Sequence, residues 1–160
     1  MESAILDTQA VFDKFPDEPA LKALSEFAVA AKFDLEELTI TIAKENIVTT
    51  CKAIQAAGYT FLEDVTAVDW YPSEPRFQVS YSILSFILKR RVRLTVRLNS
   101  EDASLDSITS VWPSANFYER EVFDLFGVNF AGHPNLRRIM MPEDWAGHPL
   151  RKDYPVEGYR

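Results

Sequence analysis

The sequence predicts an α+β fold: a two-layer sandwich with helices on one face of a mixed β-sheet, followed by a third helix and an extended irregular C-terminal tail. Three observations predict it. Apolar residues recur at helical spacing in the first third of the chain and again just after Pro113. Period-2 alternation dominates residues 59–98, and neither period holds beyond Gly127. The predicted organisation is a loose N-terminal arm over 1–18, an α+β domain over 19–127 and an extended C-terminal segment over 128–160.

Pro19 is placed to open a helix, because a proline in the first turn loses no hydrogen bond. Leu21, Leu24, Phe27, Ala28 and Ala31 follow at helical spacing. Leu38, Ile40 and Ile42 alternate with Thr39 and Thr41, as on a half-buried strand. Residues 46–57 read as a second helix with Ile47, Cys51 and Ile54 on one face, and Gly58 stands where a left-handed cap belongs. Strands are predicted over Tyr59–Trp70, Arg76–Leu88 and the stretch in which Val92, Leu94, Val96 and Leu98 alternate with Arg91, Arg93, Thr95 and Arg97. Lys89–Arg91 would form a basic hairpin tip, and a short last strand is predicted over Ser107–Trp112. Ser114 or Asn116 then caps a third helix. Tyr118, Val122, Leu125 and Phe126 give it an apolar face, and Gly127 stops it. Arg120 and Asp124 are four apart and are expected to pair along its surface.

Bulk composition narrows the function. The chain has 160 residues, enough for one domain with its own core. A net charge of −7 argues against a general nucleic-acid binder. The charge is uneven: residues 1–75 hold 14 acidic and 5 basic side chains, whereas 76–160 hold 10 and 12. A faintly basic back is suited to facing a partner, and an acidic front equally to keeping the chain soluble. The one cysteine, Cys51, makes no intramolecular disulfide and is too few for an iron–sulfur cluster. It reads as a small buried hydrophobe on a helix, in a reducing compartment. The longest apolar run, Ile83–Leu88, is far too short to span a bilayer, and the acidic N-terminus is unlike a signal peptide.

The tail is the unusual part. Four of nine prolines and four of five glycines lie from Gly127 onward. The same stretch carries Phe130, Leu136, Ile139, Met140, Met141, Trp145, Leu150 and Tyr154, too much apolar surface for a disordered end. Those side chains are expected to be buried, and against another chain if the domain core is already closed.

The candidate site residues are charged. Glu119, Arg120, Glu121 and Asp124 precede His133, Arg137 and Arg138, and then His148, Arg151, Lys152 and Asp153. Acids and bases alternating around aromatics and prolines suit an interface that fixes register, since arginine pairs with carboxylates in a two-pronged geometry. A salt-bridged helix followed by a polar loop would carry the same residues. A metal site from the two histidines with Asp144 or Asp153 lacks close ligand spacing, because the histidines are 15 residues apart. A histidine general base would need a nucleophile or pocket that no motif supplies. No phosphate-binding glycine motif is present.

The run from Trp112 to Gly127, WPSANFYEREVFDLFG, closely resembles the signature of the 30-kilodalton subunit family of respiratory complex I, NADH:quinone oxidoreductase. The likeness continues through Gly132–Ile139 and Pro149–Pro155, and extends to Thr66–Trp70 and the Arg76–Leu98 hairpin. The resemblance implies a cofactor-free, non-catalytic subunit in the hydrophilic arm of a proton-translocating complex. FMN, iron–sulfur clusters and quinone would belong to partner subunits. The partners implied are the quinone-site (D-like) and cluster-bearing (B- and I-like) subunits, with residues 128–160 as a docking segment. The location implied is the cytoplasmic side of a bacterial plasma membrane, peripherally, with no nucleic acid and no direct membrane span. The fused quinone-site partner carried by some members is expected to be absent. No catalytic, cofactor or metal residue is implied, and the eleven charged positions above are candidates for interface or internal registry. An equivalent subunit of a ferredoxin- or F420-dependent dehydrogenase, or of a membrane-bound hydrogenase, is the alternative parent.

Overall fold

The computed structural model describes residues 8–159. One layer is a five-stranded mixed sheet, ordered β1-β2-β5-β4-β3. Its strands are β1 (Ala28–Asp34), β2 (Glu37–Ile42), β3 (Phe61–Asp69), β4 (Phe77–Ser85) and β5 (Arg90–Leu98). β2 and β5 are parallel and the other neighbours antiparallel.

Alternation separates two faces. Ala31, Ile40, Leu94, Tyr81 and Val65 are successive register partners across all five strands, and all are buried. Burial of each larger apolar side chain contributes ~1.5–3 kcal/mol, so a one-residue slip in register would be costly. The adjacent row on the other face is Ala30, Thr41, Thr95, Ser80 and Thr66. Ion pairs such as Arg93–Glu37 at 2.7 Å flank it.

Helices cover the apolar face. They are α1 (Thr8–Lys14), α2 (Pro19–Leu24), α3 (Ile47–Ala56) and α4 (Ala115–Phe126). Cys51 of α3 and Glu119 of α4 both lie close enough to Tyr81 of β4 to act on its hydroxyl electrostatically. α3 ends as its sequence predicts. Gly58 adopts φ +98°, its N–H bonds to Gln55 O, and the Tyr59 N–H reaches Ile54 O.

Three sequence expectations are corrected. The first concerns the arm. Of the loose arm predicted over 1–18, residues 1–7 lie outside the described residues, but Thr8–Lys14 is helical with Val11 fully buried. The second concerns the helix opened by Pro19, which stops at Leu24, so that Ala28 and Ala31 lie on β1. Consecutive apolar residues over 27–31 satisfy either period, and pairing of Ala31 with Ile40 and Phe33 with Leu38 decides for the strand. The third concerns the strand predicted over Ser107–Trp112, which is a turn. The strand there is β6 (Ser104–Asp106), parallel to β7 (Asn129–Ala131) in a separate two-stranded sheet. Beyond β6, Val111 N–H and Trp112 N–H both bond to Ile108 O, which closes a turn instead of extending a ladder.

Candidate functional site

α4 is built to receive the tail. Its N-cap, Ser114, makes no side-chain capping bond. Its C-terminus is more elaborate. Gly127 turns left-handed at φ +75° and returns its N–H to Phe123 O. The next unpaired carbonyls of a helix end normally face water. Here the tail takes them. His148 Nδ1 donates to Asp124 O at 2.9 Å, Leu150 N–H to Leu125 O at 3.1 Å, and Arg151 Nε to Phe126 O. Cationic groups at this end also suit the helix dipole. Gly127 has no room for a side chain, because a Cβ would stand 2.5 Å from Arg151 and 2.6 Å from the His148 ring. Burial holds the His148 and Arg151 pKa values below their ordinary ranges.

Asp124 is the hub. Its carboxylate is fully buried. Oδ1 accepts from Arg138 Nη1 at 2.6 Å, and Oδ2 accepts the N–H groups of Ile139, Met140 and Met141 at 3.0, 2.7 and 2.8 Å. Burial alone would raise its pKa, but these four donors outweigh burial and hold it below the usual range. Arg138 Nη2 in turn reaches Trp145 O and Gly147 O at 3.0 and 2.9 Å. The expected Arg120–Asp124 pair does not form. Asp124 points inward, and Arg120 donates to the Arg137 and Arg138 carbonyls at 3.1 and 3.0 Å.

A second clasp holds the far end of the tail. Asp153 receives Arg76 Nη1 and Nη2 at 2.9 and 2.7 Å. Asp69 receives Arg76 Nε and Nη2 at 2.9 and 2.8 Å, together with the Lys152 N–H at 2.9 Å. Arg76 is 7% exposed and Asp69 3%. Burial would raise Asp69, but Arg76 and the backbone donors of Lys152 and Tyr71 bring it to about 2. Arg76 likewise holds Asp153 low. Neither Asp69 nor Arg76 is among the candidates that the sequence suggests. Asp69 lies inside the Thr66–Trp70 stretch, but nothing local reveals its partner. The register of β3 on β4 sets Asp69 opposite Phe77, the residue after Arg76.

Glu119 and His133 brace the start of the tail. Glu119 accepts from Ser107 Oγ and Ile108 N–H at 2.6 and 2.7 Å. His133 Nδ1 accepts the Asn135 N–H at 3.0 Å, so the ring hydrogen lies on Nε2 and points to Asn116 O at 3.2 Å. The side chains of Glu121, Arg137 and Lys152 stay at the surface. Eight of the eleven candidates therefore make side-chain hydrogen bonds within the chain.

The tail's apolar residues divide between this chain's own core and its surface. Phe130 is buried by its place on β7, but Ile139, Trp145, Leu150 and Met140 are 39, 40, 51 and 62% exposed. Phe117 on α4 is 59% exposed. Polar groups anchor the tail inward and Leu136 packs on the core, while Ile139, Met140, Trp145 and Leu150 turn outward. Exposed apolar side chains of this kind mark a candidate contact surface. Among the described residues, no group of three or more His, Cys, Asp or Glu side chains converges to hold a metal. No helix among them is long and apolar enough to cross a membrane.

Several known proteins are similar to this chain. A protein of Citrifermentans bemidjiense, named as the C subunit of NADH-quinone oxidoreductase, is 50% identical over 123 residues, covering 76% of each chain. A solved structure described as "Nqo5 of the trypsin-resistant fragment (1-134)" superposes with TM-score 0.65 at 30% identity, covering 78% of this chain and 98% of that one. A chain of an archaeal respiratory complex, the membrane-bound sulfane sulfur reductase, matches with TM-score 0.71 at 24% identity over 84% of this chain and 82% of that one, a likeness of fold. The family described as "Respiratory-chain NADH dehydrogenase, 30 Kd subunit" matches residues 40–160, a span that begins on β2 and includes both clasps of the tail, so the chain belongs to that family.

Proposed function

We propose that this chain is a cofactor-free structural subunit of the hydrophilic arm of a proton-translocating NADH:quinone oxidoreductase. In this reading it docks the cluster-bearing and quinone-site subunits and holds them in position. FMN, iron–sulfur clusters and quinone reside in those partners, on the cytoplasmic side of the plasma membrane. The observation that carries the reading is the inversion of the tail: charges spent on the chain's own α4 and β3–β4 turn, apolar side chains presented outward. Electron transfer between cofactors depends on ångström-level placement, so a pre-shaped clamp contributes through geometry.

The test is purification of the tagged chain from membranes, followed by identification of its partners. Flavin-, cluster- and quinone-site subunits are expected to co-purify, and Met140→Asp with Trp145→Asp is expected to reduce their yield severalfold. Recovery of a partner-free chain carrying its own flavin or iron would overturn the reading. The shared fold with the sulfane sulfur reductase chain keeps a second parent in view, a ferredoxin- or F420-dependent dehydrogenase or a membrane-bound hydrogenase. Recovery of a flavin-bearing NADH-oxidising subunit separates the two.

A further inference from the structure

Glu119 is a fully buried carboxyl with no lysine or arginine in ion-pair range among the described residues. Its nearest basic group is His133 Nε2 at 3.9 Å, and that nitrogen's hydrogen is directed at Asn116 O. Cys51 of α3 and Tyr81 of β4 also face the carboxyl, and either would add only negative charge. The surroundings thus disfavour the anion.

What does contact the carboxyl is a chain of hydroxyls. Ser107 Oγ lies 2.6 Å from Glu119 Oε2, and Thr109 Oγ1 lies 2.9 Å from Ser107 Oγ, with either hydroxyl able to donate. Ser107 is buried, while Thr109 is half-buried and reaches the surface. The chain can run in both directions without moving a heavy atom. With Glu119 ionised, Thr109 donates to Ser107 and Ser107 to the carboxylate. With Glu119 protonated, the carboxyl donates to Ser107 and Ser107 to Thr109. The Ile108 N–H stays on Oε1 at 2.7 Å in both states.

We propose that Glu119 is a proton-binding site, loaded from solvent through the hydroxyls of Thr109 and Ser107. In loading, a solvent proton bonds to Thr109 Oγ1. The original Thr109 hydroxyl proton moves to Ser107 Oγ, and the original Ser107 proton moves to Glu119 Oε2. Three O–H bonds form inside the protein, two break there, and the net change is one proton gained by Glu119. Unloading reverses each transfer. Burial, working against the two donors, places the carboxyl at about 7, where small changes in pH change its state. The site lies at the joint between α4 and the 107–109 turn, so its proton decides whether that joint carries a buried charge.

The experiment is a carboxyl carbon NMR titration of the full chain from pH 4.5 to 8.5, with the Glu119 signal assigned by its absence in Glu119→Gln. A midpoint near 7 is expected, and a midpoint in the ordinary glutamate range overturns the proposal. Ser107→Ala removes a donor to the anion and is expected to raise proton affinity about threefold to tenfold. Thr109→Val removes the acceptor that the protonated form needs and is expected to lower it by a similar factor. These opposite shifts distinguish a hydroxyl relay from a carboxyl that only braces α4. If Thr109→Val leaves the midpoint in place, the relay is wrong, whether or not Ser107→Ala folds.

Discussion

Asp124 and Arg138 lie 14 residues apart and meet at 2.6 Å, with the carboxylate fully buried and the guanidinium spanning from it to the Trp145 and Gly147 carbonyls. One carboxylate thereby fixes four successive tail residues, 138–141, against the last turn of α4. Removing one partner of such a pair leaves the other charge buried. Arg138→Ala is expected to cost about 3 kcal/mol in urea unfolding. The amides of Ile139, Met140 and Met141 should lose hydrogen-exchange protection in the same variant, while the β4 and β5 amides keep theirs.

Gly127 is held by two constraints at once, its positive φ and the lack of room for a Cβ beside Arg151 and His148. Gly127→Ala is expected to lower stability by roughly 2 kcal/mol and to displace residues 148–151 from the end of α4. Tryptic cleavage after Arg151 or Lys152 is the readout, and it should speed up severalfold over the parent chain.

The Arg76 clasp makes the fold acid-sensitive. Asp69 sits at about 2 in the folded chain, against ~3.9 when unfolded. The native state therefore binds fewer protons between those values. This contribution is fully present above about pH 4 and drains as pH falls toward 2, roughly 2 kcal/mol in all. Arg76→Gln should lose stability at pH 7 and flatten the acid limb. Unfolding measured in urea between pH 2 and 5 checks both.

Glu119 gives the opposite slope. Its folded value of about 7 lies above the unfolded ~4.3, so the native state binds more protons in that window. Its contribution is complete below about pH 4 and is lost as pH rises through 7. Glu119→Gln keeps an acceptor for the Ile108 N–H and should remove this slope. The stability that the parent loses between pH 5 and pH 8 should then be absent in the variant.

The outward tail side chains should matter little to the chain by itself. Met140→Asp with Trp145→Asp is expected to change unfolding free energy by no more than about 0.5 kcal/mol per site. A large loss of stability in the isolated chain would show that these residues brace the fold and do not serve a partner.

Local patterning made much of this protein legible in its amino acids. The alternation through Val92–Leu98 set a strand with one buried face, Gly58 and Gly127 marked helix ends, and the loss of period beyond Gly127 marked a segment held by something other than its own repeat. These features depend on neighbours a few residues away, and a linear chain displays such neighbours directly. Tertiary structure decided the rest. Ala28–Asp34 became a strand because β2 stood ready to pair with it. Arg120 turned from Asp124 to two carbonyls because Asp124 faces the core. Arg76 found Asp153 across 77 residues because the β3–β4 register and the seating of the tail on the end of α4 bring both together. Charge pairing has no period, and its partners are chosen by topology and burial.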